Sequence, residues 1–121
     1  MDVSIEHKQI APATGVIAIN GKLLLGPGCL ELEALVPQLV AAGTRNLVFD
    51  LSGMTRIDST GIGRFIDTYG RLKKSGGQMR LAGADGTVRD AFRLTRLDTV
   101  FSFYPTVEAA CEGWTGETTA G

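Results

Sequence analysis

Histidine and cysteine are scarce in this chain: His7 is the single histidine, and Cys29 and Cys111 are the only cysteines among 121 residues. A zinc site of the usual kind needs several such ligands at close spacing, and nothing here supplies them. The two cysteines stand far apart, each in a segment patterned as a helix, and read as small buried apolar residues rather than a disulfide. Charge of one sign is also lacking. Twelve Lys and Arg against 13 Asp and Glu leave a net charge of −1, without the basic excess that nucleic-acid binding requires. No apolar run approaches the ~20 residues of a membrane span. The first ten residues, MDVSIEHKQI, lack the apolar centre of a signal peptide, so a cytoplasmic location is expected.

What is present is a hydrophobic content of 44% with 21% charged residues, the composition of one ordinary globular domain. The length suffices for a single core and leaves no room for a separate regulatory module. The expected division is a domain over 1–112 and a frayed tail over 113–121, with Trp114 exposed in that tail.

Val3, Ile5 and His7 alternate with polar residues, the segment from Ala11 to Gly15 breaks the pattern, and Val16 to Ile19 resumes it, so two paired strands open the chain. Leu30, Leu32, Leu35, Val36, Leu39 and Val40 form an apolar band ending at Gly43, the pattern of a helix packed on a sheet. Pro37 lies inside it, which predicts a kink or a start later than Leu30. Met79, Leu81 and Ala82 read as a strand. Thr87 and Asp90 have capping-box spacing for a helix reaching Arg96. Phe101, Phe103 and Tyr104 suggest a last strand, and Pro105 is placed to open a final helix containing Val107, Ala110 and Cys111. Strands alternating with helices predict an α/β domain. Its mixed sheet has four to five strands, antiparallel at the N-terminal pair and parallel beyond, packed against about four α-helices.

The densest information lies between Asn46 and Gly63. Leu47, Val48 and Phe49 form an uninterrupted apolar run, as in a strand covered on both faces. Ser52 and Gly53 provide a turn, and Asp58, Ser59 or Thr60 can each cap a following helix. That helix starts at Asp58–Ser59 and carries Ile62, Phe65, Ile66, Tyr69 and Leu72 towards the core, with Arg64, Asp67, Arg71 and Lys74 outside, until Gly76-Gly77 stops it. A phosphate on Ser59 or Thr60 would sit at the positive end of the helix. It would add roughly −1.5 to −2 charge beside Asp58, changing the surface without breaking the fold.

Enzymatic patterns fail on spacing. Around Ser59 the order Ile57-Asp58-Ser59-Thr60-Gly61 lacks the first glycine of a nucleophile elbow, and His7 is the only imidazole available as a base. Lys74-Ser75 follows Lys73 where a phosphate-binding loop wants glycine, and Gly61-x-Gly63 is followed by Ile66 where a dinucleotide fingerprint wants glycine. No cofactor is called for.

Asp50-Leu51-Ser52, then Asp58-Ser59-Thr60-Gly61-Ile62-Gly63, a helix, Gly76-Gly77 and Met79-Arg80-Leu81 together resemble the STAS domain, named for sulfate transporters and anti-sigma-factor antagonists. The resemblance extends more weakly through Asn20-Gly21-Lys22 and through Leu94, Leu97, Val100 and Phe101. It implies a stand-alone antagonist that, unphosphorylated, binds an anti-sigma factor of the serine-kinase type and so frees a sigma factor. Ser59 would be the phosphorylated residue, with Thr60 a second acceptor, and a phosphatase would restore the free form. The implied partner surface is Lys22, Asp58, Ser59, Thr60, Gly61, Gly63 and Arg64. Gly61 and Gly63 would combine close packing with room for a kinase. Where many such antagonists have an acidic Gly-Glu-Leu-Asp-like turn, this chain reads Gly21-Lys22-Leu23-Leu24-Leu25-Gly26. That departure leaves open a second reading, a non-switching subunit that scaffolds a stress-sensing complex or a lipid-transport ATPase. The sequence does not decide between a monomer and a weak homodimer.

Overall fold

The computed structural model describes residues 3–114. The alternating segments pair as expected. β1 (Val3–Ala11) runs antiparallel to β2 (Thr14–Leu23), with His7 opposite Ile17. After α1 (Pro27–Ala41), β3 (Asn46–Asp50) lies parallel to β2. A short β4 (Met54–Ile57) precedes α2 (Ser59–Lys74). β5 (Gln78–Ala82) and β6 (Ser102–Tyr104) follow in parallel, separated by α3 (Gly86–Leu94) and a 3-10 turn at Leu97–Thr99, and α4 (Val107–Cys111) comes last. The sheet order is β1-β2-β3-β5-β6, with β4 added beside the far end of β2. β4 has no apolar alternation of its own, and only its pairing with Gly21 to Leu23 makes it a strand.

The core lies where α1, α2 and α3 cover one face of the sheet. Ile17, Ile19, Leu47, Phe49 and Leu81 meet Leu32, Val36, Ile62, Phe65, Leu72 and Phe92 there. A run of edge-to-face rings, Phe49 to Phe65 at 5.0 Å and Phe65 to Phe92 at 5.5 Å between centroids, crosses this core. Along β3 the alternate residue Val48 faces the other side, where Ala82, Ala110, Cys111 and Trp114 form a smaller cluster under α4. That second cover explains why β3 reads as a continuous apolar run.

Several expectations are corrected. α1 begins earlier than Leu30, with Pro27 in its first turn, and continues through Pro37. Burial of Leu32, Val36 and Leu39 on the sheet outweighs the missing N–H of Pro37. Leu30 and Ile66 fall at the flanks of their stripes and are exposed, at 65% and 48%. Buried Thr68 takes the inward place on α2 and donates its hydroxyl to the Arg64 carbonyl at 2.7 Å. α3 is capped by Asp85, which accepts from Gly86 N–H at 2.8 Å, while Asp90 pairs with Arg93 instead of closing a box with Thr87. Thr106, not Pro105, caps α4. Trp114 is buried, only 4% exposed. The Arg80 guanidinium stacks 3.8 Å from its ring centroid and donates to the carbonyls of Ala110 and Glu112 at 2.8 and 3.1 Å. The remainder of the expected frayed tail, 115–121, lies outside the described residues.

α1 and α2 end alike. Gly43 and Gly76, with φ of 109° and 81°, follow the cap residue and let the next N–H reach back to Leu39 and Leu72 at 2.9 and 2.7 Å. The resulting sharp exits return the chain to β3 and β5.

Candidate functional site

The site is built on the first turns of α2. Asp58 has the extended backbone of an N-cap, and its two carboxylate oxygens serve different partners. Oδ1 accepts from Gly61 N–H at 2.9 Å, satisfying the helix start, and Oδ2 accepts from Leu25 N–H at 2.9 Å, tying down the loop between β2 and α1. Asp58 N–H in turn donates to the Leu23 carbonyl at 3.3 Å. Partial burial works against ionisation of Asp58. The N–H groups of Gly61, Leu25 and Thr60 outweigh it, and the carboxyl is held below the ordinary aspartate value. Nearby, burial and then the Asp58 charge push the Cys29 thiol up, and its Sγ donates to the Leu24 carbonyl at 3.2 Å.

Ser59, the first residue of α2, is exposed, and its hydroxyl makes no side-chain hydrogen bond among the described residues. Thr60 is half-buried, so Ser59 is the more accessible hydroxyl. Gly61 is buried, and a Cβ there would stand 2.6 Å from the Leu23 carbonyl oxygen and 2.7 Å from Ile57 Cγ1. Gly63 differs: a Cβ there would meet nothing within 4 Å. Packing therefore requires glycine at 61 and not at 63.

Ser59, Gly63, Ile66 and Gly70 succeed one another at helical spacing along one side of α2, and Ile66 and Gly70 border the groove formed with α1. Glu33, Val36, Pro37, Arg64, Ile66 and Asp67 line that groove, whose volume is about 520 Å³. Arg64 is drawn into it, bridging Glu33 at 2.9 Å and Asp67 at 2.7 Å. Lys22 lies at the end of β2 beside Arg56 of β4, an exposed pair of cations next to the Asp58 loop. The structure thus groups Asp58 to Gly63, places Lys22 at the margin, and commits Arg64 to ion pairs.

Sequence reasoning missed the apolar part of this surface. Leu25, held by Asp58, is 78% exposed, and Leu30 and Ile66 are exposed as well. The signal in the sequence was the apolar run Leu23-Leu24-Leu25 directly before Gly26-Pro27, which carries apolar residues past the end of β2 into a turn.

Among the described residues no group of three or more His, Cys, Asp or Glu could hold a metal, and no helix is long and apolar enough to cross a membrane.

The sequence model of the STAS domain matches residues 7–110. A curated relative, the anti-sigma-B factor antagonist of Staphylococcus aureus, is 28% identical over 67 residues, 55% of this chain. The match takes in 62% of that relative's length, less than two thirds. Among solved structures, an anti-sigma factor antagonist from Mycobacterium paratuberculosis is 25% identical with a TM-score of 0.77, covering 89% of this chain and 90% of that one. The Bacillus cell fate determinant SpoIIAA in its phosphorylated form has a TM-score of 0.75 at 18% identity, covering 90% and 97%. At that identity the likeness is one of fold.

Proposed function

The chain belongs to the STAS domain family, and within it we propose an anti-sigma factor antagonist switched by phosphorylation of Ser59. Unphosphorylated, it binds an anti-sigma factor of the serine-kinase type through the start of α2 and releases a sigma factor for transcription. Phosphorylation by that kinase ends the contact, and a phosphatase restores it. On this reading it is a cytoplasmic binding module and not an enzyme.

One observation carries the proposal: an exposed, unengaged serine hydroxyl opens a sixteen-residue helix directly after a cap whose own oxygens are both occupied. A phosphate on Ser59 would be favoured by the helix end and add charge within a surface formed by Leu25, Leu30, Gly63 and Ile66. An apolar partner surface that docks on those residues would then have to desolvate a dianion. The names of the similar proteins point the same way.

The test is intact-mass spectrometry with peptide mapping after incubation with ATP and a lysate of the native cell. One phosphate is expected on Ser59 and none on Ser59→Ala. Ser59→Asp should weaken binding of the captured anti-sigma factor at least tenfold, about 1.4 kcal/mol, with an unchanged melting temperature. An unmodified wild-type chain, or equal binding by Ser59→Asp, overturns the switch. The second reading, a non-switching scaffold, would then stand, favoured by the Lys22–Arg56 cation pair where an acidic turn is expected.

A further inference from the structure

The open edge of the sheet carries an inference that does not depend on the function of α2. β1 is an edge strand of nine residues that pairs, among the described residues, with β2 alone, and its other side presents backbone N–H and C=O groups that no described strand engages. Its central residues Glu6, His7, Lys8 and Gln9 are all exposed. Glu6 and Lys8 stand opposite Ala18 and Val16 of β2, so they share the face of the sheet away from α1, α2 and α3.

We propose that β1 pairs antiparallel with β1 of a second copy, about a two-fold axis through His7, to make a continuous sheet across a weak homodimer. Parity, charge and the extent of overlap together select that register. Opposed residues in an antiparallel pair must point to the same face, so the axis has to pass through a residue. An axis at Glu6 sets Glu6 against Glu6 of the other copy, and an axis at Lys8 sets lysine against lysine, both repulsive. An axis at His7 sets Glu6 against Lys8 and Lys8 against Glu6, two opposite-charge pairs on one face. His7 is also the midpoint of Val3–Ala11, so this register overlaps the strand over its full length. The irregularity between Gln9 and Ala11 lies towards the end of the overlap and leaves the charged centre regular. The same two charges that block other pairings at this edge therefore fit a second copy of it, as an isologous interface requires.

Charge reversal tests the register. Glu6→Lys alone gives a strand with cations at both positions, and Lys8→Glu alone gives one with carboxylates at both. Each repels itself and complements the other. Sedimentation equilibrium at low salt should show wild type dimerising with a dissociation constant on the order of 100 μM. Each variant alone should bind itself at least tenfold more weakly, while an equimolar mixture recovers the wild-type mass. Both positions are exposed, and unchanged far-UV circular dichroism confirms folding of each variant. Wild type that stays monomeric to about 1 mM overturns the proposal. So does either variant dimerising as wild type does, or a mixture that stays monomeric.

Discussion

Asp58 shows how much one side chain can hold. Its carboxylate caps α2 through Gly61 and tethers the loop at Leu25, so Asp58→Ala should lose about 0.5–2 kcal/mol, measured by urea unfolding, and free Leu25 to move. The direction of its pKa sets a pH dependence as well. A carboxyl whose folded value lies below its unfolded value of roughly 3.9 stabilises the fold above that pH. The stabilisation is lost as pH falls through the lower folded value. Acid unfolding of wild type should therefore be steeper below about pH 4 than that of Asp58→Ala, and coincident curves would remove Asp58 from the account. The two glycines of the same turn separate packing from surface. Gly61→Ala forces a Cβ onto the Leu23 carbonyl and should cost roughly 1–3 kcal/mol. Gly63→Ala enters open space and should stabilise by about 0.5–1 kcal/mol. If Gly63 is part of the docking surface, that variant gains melting temperature while losing partner affinity.

Among the elements, α4 depends most on others. It has five residues, too few to be stable alone, and is held by Thr106 at its start and by Arg80 and Trp114 at its end. Trp114→Ala should cost about 3–5 kcal/mol, as large aromatic deletions do. Because Trp114 is the only tryptophan, intrinsic fluorescence in the wild type reports its undocking directly. A variant as stable as wild type would show that α4 is seated without it. α2, by contrast, is legible in the amino-acid sequence alone. Asp58 at the cap, the stripe of Ile62, Phe65, Tyr69 and Leu72, and Gly76-Gly77 at the end are local signals, and the helix runs between them. β4 is not legible in that way, because Met54 to Ile57 pairs only through β2, more than thirty residues away.

At the scale of the molecule, the sheet divides the interior into a large cluster under three helices and a small one under α4. The two free thiols report on them separately. Cys29 is buried in the first and Cys111 in the second, and burial pushes both thiols up. Labelling by a thiol reagent then requires opening. Cys111 should react at least tenfold faster than Cys29, a difference of about 1.4 kcal/mol in opening free energy. Equal rates would mean that both faces open together.

The sequence by itself determined the α/β class, the antiparallel hairpin followed by parallel strands, the limits of α2 and the hydroxyl pair at its start. Each rests on periodicity, capping or turn chemistry within a few residues of chain. Tertiary structure decided that Trp114 is buried and that Leu25, Leu30 and Ile66 are exposed. It decided too that Arg64 pairs with Glu33 and Asp67, and that α1 runs on through Pro37. Those outcomes depend on what lies opposite each side chain once elements distant in sequence have packed, and no local pattern contains that information.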